Sequence, residues 1–176
     1  MIGCASIILV GLSYGNEKNY LSFGSTLLKK ISKLTLDNFG FPKSRSINQL
    51  IFYLKYFILI REWFKESQVS IPEHIEETIY YLGQGYAFFW KNSGCDLLFN
   101  GNNISNNDEF DNYLKRLGYT FKSESHELGG YISLKNKKIN LTMDAGPSPS
   151  LNYTGDYQSG ALSFEILSNG KKLISN

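Results

Sequence analysis

The hydrophobic period of this sequence changes part-way along the chain, and that change limits the folds open to it. From Ile47 to about Glu66, apolar residues recur at helical spacing, so one broad stripe of a helix would face a core. From Tyr131 onward, short runs alternate apolar and polar residues, which is the spacing of a half-buried strand. We therefore expect an α-then-β chain, with a helical segment at 1–92 and a sheet-forming segment at 93–176.

At least four helices are expected before about residue 92, at 2–13, 20–36, 47–66 and 72–90. Ser46 suits the N-cap of the third, and Pro72 suits the first turn of the fourth, where its missing N–H is unpaired anyway. A short helix at 109–117 should end at Gly118, while 96–101 is expected to form a short strand and a turn.

Antiparallel strands are predicted at 131–134, 139–143, 162–167 and 173–175. Because Leu162, Phe164 and Ile166 alternate with small or polar residues, these three are expected to face a core. The full set of residues predicted to be buried is Leu50, Leu54, Phe57, Ile58, Ile139, Leu141, Leu162, Phe164 and Ile166.

Asn169 and Gly170 stand between two apolar runs, and this pair is a strong hairpin signal because both residues tolerate positive φ. The strand after the hairpin has hardly begun when the sequence reaches Asn176. An antiparallel sheet with an unprotected edge is prone to aggregate. We therefore expect this chain to be a piece of a larger protein, truncated at its C-terminus.

Composition excludes several functional classes. With 18 basic and 16 acidic residues, the net charge of +2 is too balanced to favour nucleic acid as a partner. The apolar stretch 1–12 is too short for a membrane span and lacks the basic start of a signal peptide. No glycine-rich phosphate loop and no Gly-x-Ser-x-Gly motif occur in a suitable position.

Neither the cysteines nor the histidines form a metal-binding pattern. Cys4 and Cys95 are far apart and form no Cys-x-x-Cys pair. His74 and His126 have no metal-ligand spacing to each other or to a carboxylate. We therefore expect no metal and no cofactor in this segment.

Two short stretches carry candidate binding residues. Arg45 stands beside Lys43 in a tight loop, where a fixed guanidinium can bind a carboxylate through two hydrogen bonds. The alternative is that Arg45 ties this loop to the adjacent helix. Tyr153, Tyr157 and Gln158 lie in the polar loop before the 162–167 strand, where a binding surface can rest on a rigid sheet. The alternative there is a solvated loop with two packing tyrosines.

Several short pieces occur in a recognisable order. They are the loop 39–46 with its following helix, Leu97-Leu98-Phe99-Asn100-Gly101, Gly129-Gly130-Tyr131, Asp144-Ala145-Gly146-Pro147 and the run 160–166. In this order they resemble the heparinase II/III-like family, which pairs a helical (α/α) toroid with a β-sandwich and includes polysaccharide lyases. The resemblance spans essentially the whole chain. It implies the end of the toroid followed by the first strands of an antiparallel β-sandwich.

The resemblance also implies a chemistry. Lyases of this family cleave a sugar chain beside a uronic acid by β-elimination, which needs a group that neutralises the carboxylate, a base and an acid. By resemblance, the candidates are Lys43, Arg45 and Tyr153 as substrate contacts, and Tyr157 and Gln158 as catalytic groups. Relatives often carry His at two places that here read Pro42 and Gln158, and neither of these side chains titrates.

Three hypotheses about function remain open at this point. The first is a lyase-family protein that acts on or binds an acidic polysaccharide in the cell envelope or periplasm. The second is a catalytically degenerate relative that binds glycan without cutting it, or that has a structural role in the envelope. The third is a helical interaction module with a β appendage. The expected partners are an acidic polysaccharide and the remainder of the chain's own protein.

Overall fold

The computed structural model describes residues 1–14, 18–91, 97–101, 108–158, 160, 162–169 and 171–175. The α-helices are α1 (Ile2–Ser13), α2 (Lys18–Thr35), α3 (Ile47–Glu66), α4 (Glu73–Tyr86) and α5 (Asp108–Arg116). The strands are β1 (Glu127–Leu128), β2 (Tyr131–Lys135), β3 (Ile139–Asp144), β4 (Phe164–Ser168) and β5 (Lys171–Ile174). They form an antiparallel sheet in sequence order. A helical part followed by an antiparallel sheet confirms the predicted fold class.

Helix α3 is the centre of the helical part. Its N-terminus is capped by Ser46, whose hydroxyl accepts a hydrogen bond from the Gln49 amide, as the sequence predicted. It contacts α4 and α1, so apolar residues are buried on more than half of its circumference. The predicted core residues on this helix, Leu50, Leu54, Phe57 and Ile58, are all buried. Within the described residues, no helix combines the length and apolar character that a bilayer crossing needs.

An aromatic cluster joins the helical part to the sheet. Helix α4 continues into a π-helical turn, Ala87–Lys91, which brings the Phe89 ring to 5.1 Å from the ring of Tyr131 on β2. The rings of Phe99 and Phe41 lie 5.5 and 6.0 Å from the same tyrosine. Large rings at these separations combine burial of apolar area with favourable edge contacts. Tyr131 therefore joins the sheet to the rings of Phe41, Phe89 and Phe99.

The face of the sheet that packs against the helices is the one that the alternation of apolar and polar residues had predicted to face solvent. Glu165 and Leu167 are buried, whereas Phe164 is 42% exposed and Leu162 is 70% exposed. Ile139 is likewise 44% exposed, and Leu141 and Ile166 are only half-buried. The predicted burial of Leu162, Phe164 and Ile139 was therefore wrong, and that of Leu141 and Ile166 holds only in part.

The physical reason is that four polar residues on the inner face, Ser133, Asn140, Asp144 and Glu165, have polar partners. Asp144 pairs with Arg45, and Glu165 pairs with Lys172 at 2.9 Å and accepts a hydrogen bond from the Leu98 amide. The Ser133 hydroxyl donates to the Asn140 side-chain oxygen on the neighbouring strand. Buried polar groups are tolerated when they are hydrogen-bonded or ion-paired. Alternation identified the two faces correctly but not which of them the helices cover.

Smaller differences concern the ends of elements. The turn predicted within 96–101 is present as a 3-10 turn at Phe99–Gly101, where Asn100 has a φ of 50°. The described residues 97–101 form no strand, and residue 96 lies outside the described residues. Leu162 also has positive φ, 65°, so β4 begins only at Phe164. The predicted hairpin is confirmed by the β4–β5 pairing around Asn169, although Gly170 lies outside the described residues. The predicted domain boundary also falls outside them, in 92–96, and stays a prediction.

The two faces of β4 offer a direct stability test. Leu167→Ala should lower the free energy of unfolding by about 2–5 kcal/mol, because it leaves a cavity between the sheet and the helices. Phe164→Ala removes a half-exposed ring and should cost about 1 kcal/mol or less. Urea denaturation of both variants measures the difference. A larger loss for Phe164→Ala would mean that the outer face is the buried one.

A candidate functional site at the helix–sheet seam

The loop between α2 and α3 is held in a single tight conformation. The Asp37 carboxylate accepts hydrogen bonds from the amides of Phe39 and Phe41, both at 2.8 Å. The Asp37 amide in turn donates to the Phe41 carbonyl, and Leu36 forms a bridge with Pro42. This is the behaviour expected of Asp at a turn, where its side chain replaces backbone partners. The loop therefore presents the residues that follow Pro42 to the sheet in a fixed position.

Arg45 extends from this loop into the sheet. Its Nη2 lies 2.5 Å from Asp144 Oδ1, and the two side chains are 8% and 0% exposed. Its Nε and Nη1 donate to the carbonyls of Gly129 and Pro147, each at 3.0 Å. A buried ion pair is stable only when further hydrogen bonds satisfy the remaining polar atoms. Arg45 therefore ties the helical loop to two turns of the sheet, rather than to the adjacent helix.

A second set of hydrogen bonds surrounds the backbone of Arg45. The Arg45 carbonyl accepts hydrogen bonds from the Tyr131 hydroxyl at 3.0 Å and from the side-chain NH2 group of Asn100 at 3.3 Å. Asn100 also contacts the Tyr131 hydroxyl. Burial, and next the nearby Asp144 carboxylate, raise the pKa of the Tyr131 hydroxyl. It therefore stays protonated and acts as a donor at neutral pH.

Two glycines form the walls around the guanidinium. A Cβ added at Gly146 would lie 2.8 Å from the guanidinium carbon of Arg45, and one at Gly130 would lie 3.0 Å from its Nη2. Gly130 also has a φ of 80°, which L side chains rarely adopt. The guanidinium therefore occupies a slot that residues with a Cβ would narrow.

Several buried polar atoms near this slot have no hydrogen-bond partner among the described residues. They include the second carboxylate oxygen of Asp144 and the hydroxyls of Ser163 and Tyr157. A Cβ added at Gly160 would lie 3.0 Å from the Ser163 hydroxyl and 3.8 Å from Asp144 Oδ2. The Tyr157 ring lies 5.9 Å from the Arg45 guanidinium. The region behind the ion pair is thus polar and incompletely hydrogen-bonded.

A groove of about 780 Å³ runs along the boundary between the α2–α3 loop and the sheet, and we call it the seam groove. Its lining includes Phe39, Lys43, Arg45, Pro147, Pro149 and Tyr153. The Tyr153 hydroxyl donates to the Leu34 carbonyl at 2.7 Å, and the Lys43 ammonium lies 5.9 Å from the Tyr153 ring centre. The groove therefore combines aromatic surface with a cation.

A smaller depression of about 430 Å³ lies at the start of α3. Its lining carries an aromatic ring and several amide side chains: Ser46, Asn48, Gln49, Phe52, Asn100, Gly155 and Gln158. The backbone N–H of Gln158 donates to Asn100 Oδ1 at 3.4 Å. Gln158 is thereby linked to the hydrogen bonds around the Arg45 carbonyl.

The structure divides the residues predicted as a site. Lys43, Arg45 and Tyr153 line the seam groove together, whereas Gln158 lines the smaller depression. Tyr157 lines neither of them, and its hydroxyl is buried. The substrate-binding and catalytic roles of all five stay predictions.

Sequence reasoning did not assign a site role to Asn100, Tyr131 or Asp144, although all three lie in the pieces that carry the family resemblance. The sequence feature that could have identified them is that each is a polar residue in a short stretch that is otherwise apolar or rich in glycine. Within the described ranges, no group of three or more His, Cys, Asp or Glu side chains is placed to hold a metal ion.

The described part of the chain is therefore an α-then-β protein, in which a buried ion pair joins a helical layer to an antiparallel sheet. Residues 120–176 match the family model described as Heparinase II/III-like, C-terminal. The match confirms the family resemblance for the part of the chain that forms the sheet. Comparisons with curated proteins and with solved structures gave no match.

The ion pair can be tested with single and double variants. Arg45→Met should cost about 3–5 kcal/mol of unfolding free energy, because it leaves the Asp144 carboxylate buried without its partner. The double variant Arg45→Met/Asp144→Leu should lose less than the sum of the two single variants. Urea denaturation of the four proteins gives the coupling energy.

Glu76→Gln is the matched control, because it breaks an ion pair with Arg61 in which the Glu76 side chain is 45% exposed. This variant should cost about 0–1 kcal/mol. Equal losses for Arg45→Met and Glu76→Gln would contradict the structural role given to Arg45.

Proposed function

We propose that this chain binds a uronic-acid-containing polysaccharide in the seam groove, as part of a heparinase II/III-like protein of the cell envelope or periplasm. The observation that carries the proposal is the convergence of Lys43, Arg45 and Tyr153 on one groove. The family match of residues 120–176 supports the class of ligand, because the family that the sequence resembles includes polysaccharide lyases.

The lining of the groove suits a sugar chain with carboxylates. Phe39 is 70% exposed and Tyr153 lies further along the same groove, so both offer ring surface to the apolar faces of sugars. Lys43 is held above the Tyr153 ring by a hydrogen bond from its ammonium to the Lys33 carbonyl at 2.8 Å. An ammonium has three donors, so two remain for a ligand carboxylate.

Arg45 has a mixed role in this proposal. Its contacts to Asp144, Gly129 and Pro147 use three of the five N–H donors of a guanidinium. Among the described residues, two donors are left over, and Arg45 lines the groove. We propose that Arg45 mainly holds the groove wall in place and that Lys43 makes the principal carboxylate contact.

β-Elimination is the second candidate function. It is favoured by Tyr157, whose hydroxyl has no hydrogen-bond partner among the described residues. This hydroxyl is buried and Tyr157 lines none of the described depressions, so proton exchange with a substrate would require the hydroxyl to become accessible. Against it, the two positions at which relatives often carry His read Pro42 and Gln158. We therefore place binding ahead of cleavage for this chain.

Binding is tested by calorimetric titration with a uronate oligosaccharide. Lys43→Ala should weaken the affinity about two- to fivefold, which is the range for one partly solvated charge pair. Lys137→Ala is the matched control, because this exposed lysine lies in the β2–β3 turn and lines none of the described depressions. The same oligosaccharide with its carboxyls reduced to alcohols should bind the unchanged protein more weakly. An affinity that neither Lys43→Ala nor carboxyl reduction alters would overturn the proposal.

Cleavage is tested by following the ultraviolet absorbance of the unsaturated product with heparan-type, alginate and other uronate polysaccharides. We expect no growth of absorbance for this chain, because Pro42 and Gln158 cannot transfer protons. Steady growth that disappears in Tyr157→Phe would make Tyr157 the acid or base and favour the enzyme over the binder.

A further inference from the structure

A third pocket lies next to the seam groove at the α2–α3 loop. It has a volume of about 720 Å³ and is bounded by the end of α2, the loop and the start of α4, so we call it the α2–α4 pocket. Asp37, Lys43 and Tyr81 line both the pocket and the groove. The two are therefore neighbours that share a border at Lys43.

The cations of this pocket are arranged as a row. Lys29 and Lys33 are exposed and lie four residues apart on α2, so they project from the same face of that helix. Lys43 extends the row across the loop, because its ammonium is bonded to the Lys33 carbonyl. The row leads from the pocket to the border of the seam groove.

The opposite wall is formed by the first turns of α4. Glu73 and Glu77 lie there, and together with Asp37 of the loop they equal the formal charge of the three lysines. His74 lies on the same wall, and its Nε2 is buried with no hydrogen-bond partner among the described residues. Burial, and next the charge of Lys29, lower the pKa of the His74 imidazole, although Glu77 raises it. A neutral imidazole can donate to or accept from a sugar hydroxyl.

The balance of charges decides what kind of ligand fits. A small free anion would gain little here, because the carboxylates of α4 offset the attraction of the lysines. A uronate that belongs to a chain already held in the groove is different, since its effective concentration at the pocket is high. Weak contacts to Lys29 and Lys33 then add to the affinity of the whole chain.

We infer that the α2–α4 pocket is a further subsite for the same acidic polysaccharide, which passes over Lys43 and places another uronate beside Lys29 and Lys33. The inference rests on the function proposed for the seam groove. It adds a direction to that function, because the sugar chain runs from the sheet across the loop to α2. It also makes binding dependent on chain length.

The experiment compares a uronate disaccharide with a hexasaccharide by calorimetric titration. For the double variant Lys29→Ala/Lys33→Ala, affinity for the hexasaccharide should fall about five- to tenfold, while affinity for the disaccharide stays unchanged. Lys30→Ala is the control, because this exposed lysine is on the same helix but does not line the pocket. It should bind both ligands as the unchanged protein does.

Each other outcome overturns the inference in a distinct way. Unchanged hexasaccharide affinity in the double variant would remove the subsite and leave the function of the groove standing. Equal losses for both ligands would mean general electrostatic attraction rather than a subsite. If the unchanged protein binds neither ligand, the proposed function itself fails, and the subsite with it.

Discussion

The structure depends on a guanidinium and a carboxylate that have been removed from water together. Arg45 and Asp144 are both buried, and the attraction between them must offset the loss of hydration of two charges. The carbonyls of Gly129 and Pro147 assist by accepting hydrogen bonds from Nε and Nη1 of Arg45. Because these partners belong to different turns, satisfying all of them at once fixes how the helical loop sits on the sheet. The seam groove is the surface that this arrangement leaves open.

The helices could be predicted from the sequence because their signals are local. Helix α3 has a wide apolar stripe and a capping serine immediately before it, and both act within a few residues. The strands could be located for the same reason. Which face of the sheet is buried could not be predicted, because Asp144 finds its partner 99 residues away and Glu165 contacts an amide 67 residues away. Alternation carries no information about such distant partners.

The candidate site shows the same division between local and distant signals. Lys43 and Arg45 were recognisable as cations in a tight loop, and Tyr153 as an aromatic residue in a polar loop, but nothing local indicated that they meet. The fold brings them to one groove, whereas Gln158, close to Tyr153 in sequence, lines a different depression. Asn100 was missed because its role depends on the backbone of Arg45, which it reaches from 55 residues away.

The glycine slot around Arg45 has a consequence for how this protein can change over evolutionary time. Positions 45, 130 and 146 must vary as one unit, because a methyl group at either glycine would press on the guanidinium. A lysine at position 45 would keep the charge but lose the planar fork that reaches two carbonyls and a carboxylate at once. Drift in the sequence is therefore expected to be slow at these three positions, where the layers meet.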